Sequence, residues 1–339
     1  MLITEIYPAD KVSLAAKELR LGELIAFPTE TVYGLGADAT NAQAVKRVYL
    51  AKGRPSDNPL IVTVCSKEMV ERYVSSIPEK AQKLMDAFWP GSLTIILPIK
   101  ENSLPDVVTG GLKTAAFRMP KNETTLELIR EAGVPIVGPS ANSSGKPSPT
   151  TAKHVFHDLE GRIKGIVDDG PTTVGVESTI IDLSTKTPTI LRPGAVTEKE
   201  LSEVLGCEVI SDKHQVGQKE TPKAPGMKYK HYAPDAQVLI VKEDEWQKAS
   251  EWAKQQDAKL GVMALDKTLE AFPALKDNAE VFRLGEDITS ASSRLFAGLR
   301  QFDKVDYILC AGFVEEDLGD AYMNRLKKAA GNTFFADIR

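Results

Sequence analysis

Apolar residues in the first two hundred positions recur in short runs that alternate with amphipathic stretches. Helical spacing over 11–22 predicts a first helix, and the apolar run 24–29 predicts a buried strand ending in a Pro-Thr turn. A second helix is predicted over 40–53, with Thr40 as its N-cap and Gly53 as its stop. The pattern is typical of an α/β protein.

Later segments of this half continue the alternation, with a strand at 59–64 followed by two helices. Further strands are predicted in TIILPI, TAAFRMP, PIVGPSA, GIVDDG, STIIDLS and PTILRPG, and helices at 123–132 and 197–205. Several strands in succession predict a sheet that is not purely parallel.

The segment 208–235 is rich in Lys, Pro and Gly and almost empty of aliphatic residues, which is typical of a linker. Beyond it, strands predicted at 236–241, 258–265, 279–285 and 306–313 alternate with helices. That alternation predicts a small parallel α/β domain of three layers. We therefore predict one domain over 1–207, a linker over 208–235 and a second domain over 236–339.

Composition narrows the class of protein. A chain of 339 residues fits two domains, and its net charge of −5 argues against binding nucleic acid through bulk charge. Three widely spaced cysteines give no zinc motif or disulfide framework. The N-terminus lacks a signal-peptide pattern and no apolar run is long enough for a membrane helix, so we expect a cytoplasmic protein without membrane partners.

The segment FPTETVYGLGADA, residues 27–39, carries the first candidate chemistry. A predicted strand delivers polar residues, Thr31 among them, into a turn where Gly34 and Gly36 would permit close approach or unusual φ. The alternative is a plain strand–loop–helix connection. The segment is not a dinucleotide fingerprint, because the third glycine is missing.

Cationic residues mark two further candidates. Lys52 and Arg54 lie at a predicted helix C-terminus, where they would complement the helix dipole or bind a polyphosphate. Arg118 follows the Gly-Gly turn of TGGLKTAAFRMP within an apolar segment, so it needs a carboxylate partner. That partner could belong to a ligand or to the protein. The paired glycines could form an anion nest.

The segment 138–151 is dense in hydroxyl, amide and glycine residues but lacks the GxxxxGK[ST] pattern. It could cradle phosphates or be a plain polar loop. Ser178 begins a predicted strand and Arg192 ends the next, and either could be a surface feature. His154 and His157 lack a third metal ligand, so an ordinary helix face is favoured.

Taken together, PTETVYGL, KGRP…NPL, FWPGSLT, FRMP, GPSANSSG, ESTI and LRPG, in this order, resemble the YrdC-like threonylcarbamoyl-AMP synthase family. The resemblance covers about residues 5–207. PGMKYKHYAP followed by an α/β domain is similar to the longer, two-domain members, which extends it to the whole chain. It implies an N-terminal twisted open mixed sheet with a basic concave face, and a smaller C-terminal Rossmann-like parallel domain.

The resemblance also implies a reaction. L-threonine, bicarbonate and ATP, the last with Mg²⁺, would give threonylcarbamoyl-AMP, pyrophosphate and water. The product would serve the tRNA threonylcarbamoyl transferase machinery, which forms N6-threonylcarbamoyladenosine at position 37. No direct protein ligand to a metal is expected.

Site residues carry over by motif. The resemblance implies that L-threonine contacts Thr31, Thr63, Arg118, Gly138 and Ser178. It implies that ATP contacts Lys52, Arg54, Asn58, Thr114, Ser140, Asn142, Ser148 and Arg192, with Tyr232 from a linker that folds toward the site. Lys52 and Arg54 would be catalytic through charge neutralisation. Many members have His where this chain has Thr63, and Asn142 is added from its place in the SAN turn.

Three alternatives stay open at this point. The basic concave face would suit a non-catalytic RNA-binding module, or weak RNA binding by an enzyme. A hydrogenase-maturation carbamoyl-transfer domain shares the fold, but it carries acylphosphatase-like and zinc-finger segments that are missing here. A regulatory adenylate-binding protein would bind without turnover.

Overall fold

The computed structural model describes residues 2–56, 58–212, 222–223, 232–302 and 304–338. These residues form two compact units. The first comprises described residues within 2–144, 148–173 and 177–223, and the second comprises 145–147, 174–176 and described residues within 232–338. Most of the predicted linker lies outside the described residues, and the two predicted boundaries, at 207/208 and 235/236, stay a prediction.

Eleven short strands of the first unit form one sheet. They are β1 Glu5–Pro8, β2 Ile25–Phe27, β3 Gly34–Asp38, β4 Ile61–Thr63, β5 Leu93–Pro98, β6 Thr114–Arg118, β7 Ile136–Val137, β8 Gly165–Asp168, β9 Thr179–Asp182, β10 Thr189–Arg192 and β11 Ile210–Ser211. Their order is β1-β8-β2-β3-β7-β4-β6-β5-β9-β10-β11, with parallel and antiparallel neighbours. The predicted mixed sheet is confirmed.

Eight α-helices belong to the described part of the first unit. They are α1 Val12–Arg20, α2 Ala42–Lys52, α3 Lys67–Glu71, α4 Glu79–Phe88, α5 Asp106–Thr109, α6 Glu123–Ala132, α7 Ala152–Leu159 and α8 Glu198–Leu205, with a 3-10 turn at Ala9–Lys11. Strand residues alternate between the main core and the opposite face, so Val62 and Phe117 are buried in the core while Thr63 and Arg118 lie on the other side. That second face carries the candidate site.

Two local expectations were wrong. Asn41, not Thr40, caps α2: its side-chain oxygen accepts from the amides of Gln43 and Ala44, whereas the Thr40 hydroxyl donates to Asp38. Asn is a stronger N-cap than Thr, and it lies one residue further on. Gly53 ends the helix in the left-handed region, as predicted.

The glycine segment expected to form a turn is instead strand β3, and neither Gly34 nor Gly36 has a positive φ. The glycines are needed for close packing, because a Cβ at Gly34 would lie 2.5 Å from Cζ of Phe27 on the neighbouring strand. Close approach was predicted correctly and unusual φ was not.

The second unit contains a fully parallel four-stranded sheet in the order β12-β15-β13-β14. The strands are β12 Gln237–Val241, β13 Leu260–Ala264, β14 Glu280–Arg283 and β15 Tyr307–Ala311. Its helices are α9 Trp246–Ala253, α10 Asp266–Ala271, α11 Ala274–Asn278, α12 Ile288–Gln301 and α13 Leu318–Ala330, with 3-10 turns at Glu243–Glu245 and Phe335–Ile338. The predicted Rossmann-like domain is confirmed. Among the described helices of the chain, none is long and apolar enough to cross a membrane.

Candidate active site

Arg118 is the centre of a buried polar cluster on the face of the first unit's sheet that lies opposite the main core. Its guanidinium donates from Nη2 to Oε1 of Glu30 at 2.6 Å, from Nη1 to the Thr31 hydroxyl at 2.8 Å, and from Nε to the Gly91 carbonyl at 3.3 Å. Burial of a charge demands such partners. The carboxylate that the sequence required is therefore Glu30, supplied by the protein itself.

Glu30 is held in place from three directions. Its Oε1 also accepts from the Ser92 hydroxyl at 2.8 Å, and its Oε2 accepts from the backbone amide of Lys121 at 3.1 Å. Both members of the Glu30–Arg118 ion pair are less than 10% exposed. The guanidinium is thus fixed before any ligand arrives, which lowers the entropy lost on binding.

The guanidinium of an arginine carries five N–H donors, and these contacts use three of the five in Arg118. Within the part of the chain that the structure describes, one N–H on each terminal nitrogen has no protein acceptor. Two such hydrogens suit the two oxygens of a carboxylate. The guanidinium can therefore accept a small carboxylate.

The other residues predicted for threonine lie around Arg118. Thr63 is its register neighbour on β4, and Thr94 is its register neighbour on β5. The hydroxyl of Thr94 is 2.8 Å from that of Ser178, which is fully buried. Strand pairing therefore places Thr63 beside Arg118, and side-chain hydrogen bonds place Thr31 and Ser178 there.

A cavity of about 20 Å³ opens beside Arg118. It is lined by Phe27, Thr29, Val32, Gly34, Ile61, Thr63, Arg118, Pro120 and Gly138. Arg118 forms its polar end, and Phe27, Val32 and Ile61 form its apolar wall; the volume is about that of one water molecule, so a larger ligand would extend beyond it. Gly138 completes the set of five residues that were predicted to bind L-threonine.

We expect Gly138→Ala to impair use of a small carboxylate substrate. Its new methyl would lie 2.6 Å from the Thr63 hydroxyl and 3.0 Å from Cζ of Phe27, so the cavity would narrow and the fold would lose about 1–3 kcal/mol. Denaturation and KM measurements check this. Adding Thr63→Ala removes the clashing hydroxyl but not the contact with Phe27, so it should restore part of the lost stability. A Gly138→Ala single variant as stable as the parent would contradict the packing argument.

Several residues predicted for ATP are brought together at the C-terminus of α2. The ammonium of Lys52 donates to the backbone carbonyls of Ser140 and Asn142, the latter at 2.7 Å, and only 3% of Lys52 is exposed. The amide of Ser144 in turn donates to the Lys52 carbonyl at 2.8 Å. Lys52 thus places a positive charge beneath the GPSANSSG loop, where it would stabilise a bound anion.

Arg192 connects the two groups of predicted residues. Its Nε donates to the carbonyl of Ser178 at 3.1 Å and its Nη2 to the Ser178 hydroxyl at 3.2 Å. Ser148, in the loop that Lys52 supports, donates its hydroxyl to Oε1 of Glu177 at 2.6 Å. The neighbouring residues Glu177 and Ser178 therefore lie between the predicted threonine and ATP contacts.

The remaining predicted residues are placed less centrally. Arg54 Nη2 is 3.5 Å from the Pro59 carbonyl, and Thr114 starts β6, four residues before Arg118 on the same side of the strand. Tyr232 belongs to the second unit, where its buried ring lies 5.1 Å from that of Phe296. Its contact with ATP stays a prediction.

Asn58 is fully buried, and neither its amide nitrogen nor its amide oxygen has a hydrogen-bond partner in the described protein. A buried amide without partners is unfavourable by about 1–3 kcal/mol, and such groups occur where a ligand or water completes them. Asn58 is therefore a ligand-binding candidate on physical grounds as well as by motif.

Sequence reasoning assigned no role to Ser92, Thr94 or Glu177, and it named Glu30 only as one of the polar residues in the segment 27–39. The structure shows that all four help to hold the predicted residues in place. Two signals could have identified Glu30. It is next to Thr31 in a motif that was already selected, and Arg118 needed one buried carboxylate as a partner. Tyr33, from the same motif, donates its hydroxyl to the Gly170 carbonyl at 2.7 Å. Burial raises the pKa of its phenol most, and the nearby Asp168 carboxylate raises it further. It therefore remains a hydrogen-bond donor at neutral pH.

Comparison with known proteins identifies the family to which the chain belongs. Residues 17–194 match the Sua5–YciO–YrdC family model, described as telomere recombination, and residues 196–331 match the model described as the threonylcarbamoyl-AMP synthase C-terminal domain. Threonylcarbamoyl-AMP synthases of Bacillus subtilis and Pyrococcus abyssi are 47% and 46% identical, over 95% of this chain and 93% and 94% of theirs.

The crystal structure of Pyrococcus abyssi Sua5 complexed with L-threonine superposes with a TM-score of 0.89, at 45% identity over 98% of both chains. The fold and site thus define a nucleotidyltransferase, and the chain is an enzyme. It belongs to the threonylcarbamoyl-AMP synthase family, in its two-domain form. The resemblance inferred from the motifs is confirmed.

Proposed function

We propose that this enzyme makes L-threonylcarbamoyladenylate from L-threonine, bicarbonate and ATP. The observation that carries the proposal is the Arg118 guanidinium, held by Glu30 and Thr31 with two N–H groups left for a carboxylate beside a small cavity. A relative of the same fold has been crystallised with L-threonine. Arg118 would bind the threonine carboxylate, and Thr63, Gly138 and the apolar wall would enclose its side chain.

The proposed reaction has two bond-forming steps. The threonine amine attacks bicarbonate or CO₂ to form a carbamate, and water is released when bicarbonate is the source. A carbamate oxygen then attacks the α-phosphorus of ATP, and the bond to pyrophosphate breaks. Such a transfer depends on alignment and on neutralising charge. No side chain is assigned as the base that accepts the amine proton.

Lys52, Arg54 and Arg192 would neutralise the phosphates, with Asn58, Thr114, Ser140, Asn142, Ser148 and Tyr232 as the other proposed nucleotide contacts. The described residues contain no group of three or more His, Cys, Asp or Glu side chains able to hold a metal. Phosphate oxygens are good ligands for Mg²⁺. We therefore propose that Mg²⁺ arrives with ATP and supplies charge neutralisation there.

The product is proposed to serve tRNA threonylcarbamoylation at position 37, in a cytoplasmic setting. RNA binding without catalysis fits the site poorly. RNA contacts need accessible cations along a groove, whereas Lys52, Arg118 and Arg192 are each less than 10% exposed. A buried cation bonded to protein is suited to a small anion.

Pyrophosphate release from ATP, with threonine and bicarbonate omitted in turn, tests the proposal. Release that requires both substrates is expected. Release without threonine would mean a different acceptor. No release from folded protein would contradict the proposal, and salt-sensitive retention of RNA by such a preparation would then favour the RNA-binding alternative.

Replacing Asn58 separates a nucleotide contact from a structural one. Asn58→Leu removes two buried polar atoms that lack protein partners, so the free energy of unfolding should hold or rise, while the KM for ATP rises roughly tenfold. Steady-state kinetics and denaturation measure the two effects. A clear loss of stability with an unchanged KM for ATP would assign Asn58 to the fold alone.

A further inference from the structure

A cavity of about 530 Å³ lies wholly within the second unit. It is lined by the residues that directly follow three of the parallel strands: Lys242 after β12, Leu265 after β13 and Gly312 after β15. It is therefore at the carboxyl edge of the sheet. Small-molecule sites have volumes of roughly 300–1,000 Å³, so this cavity has the capacity of a ligand site.

The sheet topology makes this edge a switch point, where the chain leaves two neighbouring strands toward opposite faces of the sheet. Trp252 of α9 packs against Tyr307 of β15 with ring centroids 5.8 Å apart, and the Tyr322 hydroxyl of α13 lies 3.5 Å from Sγ of Cys310. Tyr307 and Cys310 are three residues apart on one strand, so they point to opposite faces of the sheet. The chain leaving β12 thus crosses to one face and the chain leaving β15 to the other. Neighbouring strands with this property form the switch point where ligands of open α/β sheets bind.

The lining is mainly apolar and aromatic. Ile240, Trp246 and Met323 are buried, and the rings of Phe313 and Phe334 are half-buried. Flat aromatic molecules bury their faces well against such rings and against the thioether. The lining favours a planar ring over an extended polar chain.

Charge narrows the ligand further. Lys267 is paired with Glu243 at 2.8 Å, and Glu315 is paired with Lys327. In the described part of this unit, Lys242 has no carboxylate within ion-pair distance, and its ammonium lies 5.7 Å from the centre of the Phe334 ring. Among the described lining residues, Lys242 is therefore the cation that has no ion-pair partner, and it stands beside the aromatic wall.

We propose that this edge binds a small planar aromatic molecule carrying a single negative charge. Lys242 would pair with the anion while the ring packs among Trp246, Phe313 and Phe334. A dinucleotide is a poor fit, because the segment after β12 reads KEDEW and has no glycine to admit a pyrophosphate. The inference is independent of the proposed reaction.

Two fluorescent probes test the site in the full-length protein: the aromatic monoanion 8-anilinonaphthalene-1-sulfonate and the uncharged N-phenyl-1-naphthylamine. We expect saturable 1:1 binding of the anion. Lys242→Ala should weaken it roughly threefold to fivefold, as one partly exposed charge pair allows, and leave the neutral probe unchanged. Lys248→Ala, on an exposed position of α9, is the matched control and should change neither affinity.

A filling variant locates the probe. Thr268 is half-buried in the lining, and Thr268→Trp should fill part of the cavity and weaken binding of both probes without removing charge. Circular dichroism and melting curves confirm that each variant is folded. An affinity for both probes that Thr268→Trp leaves unchanged, or no saturable binding to the parent protein, would overturn the site. Equal weakening of both probes by Lys242→Ala would overturn the assignment of an anion.

Discussion

Replacing Arg118 by alanine is expected to raise the KM for L-threonine by roughly 10²–10³-fold, the size of a lost bidentate hydrogen bond between charged groups. The KM for ATP should stay within about threefold of the parent value, because the nucleotide contacts are proposed around Lys52 and Arg192. Arg118→Lys keeps the charge but loses the planar fork, so its threonine KM should lie between the two. Pyrophosphate release at varied threonine and ATP concentrations measures all three proteins.

Loss of fold must be separated from loss of binding, because Arg118→Ala leaves the Glu30 carboxylate buried without its cation. The double variant Arg118→Met with Glu30→Gln removes both charges together and should be more stable than Arg118→Ala. It should share the threonine defect. An unchanged threonine KM in this folded double variant would refute the carboxylate-binding role of Arg118.

Glu30→Ala should produce a large loss of stability. The change leaves the Arg118 guanidinium buried without its carboxylate, and breaking a buried pair in this way lowers the free energy of unfolding by about 3–5 kcal/mol. Glu30→Gln keeps an oxygen for the guanidinium, so its loss should be smaller. Urea denaturation measures both variants.

An exposed pair of the same residue types supplies the control. Glu23 and Arg47 lie 3.4 Å apart with side chains 32% and 45% exposed, so Glu23→Ala should lower stability by less than about 1 kcal/mol. Equal losses from Glu30→Ala and Glu23→Ala would mean that the buried pair contributes no more than a surface one, and would contradict the argument from burial.

Local elements were predictable from the sequence because their signals are local. Helices α1, α2, α6 and α8 lie where helical spacing placed them, and Gly53 ends α2 as expected. The fold class followed from the alternation of strands and helices. The N-cap of α2 was displaced by one residue, since Asn41 and Thr40 can both cap a helix and Asn is the stronger of the two.

Non-local features were not predictable in the same way. The glycines of β3 read as a turn because nothing nearby reveals that Phe27 needs their missing side chains. The partner of Arg118 lies 88 residues away along the chain. Motif order supplied the site residues, but only strand pairing shows that Thr63 and Thr94 flank Arg118 on neighbouring strands.

The sheet order also sets when the first unit can form during synthesis. Strand β1 pairs with β8, so Glu5 cannot pair with Gly165 until Gly165 has left the ribosome. Contacts so distant in sequence close large loops and slow folding. Ser178 and Arg192 emerge later still. A nascent chain stopped before residue 165 would therefore expose the unpaired edge of β2 and lack part of the substrate site, which makes early termination products candidates for aggregation rather than for partial activity.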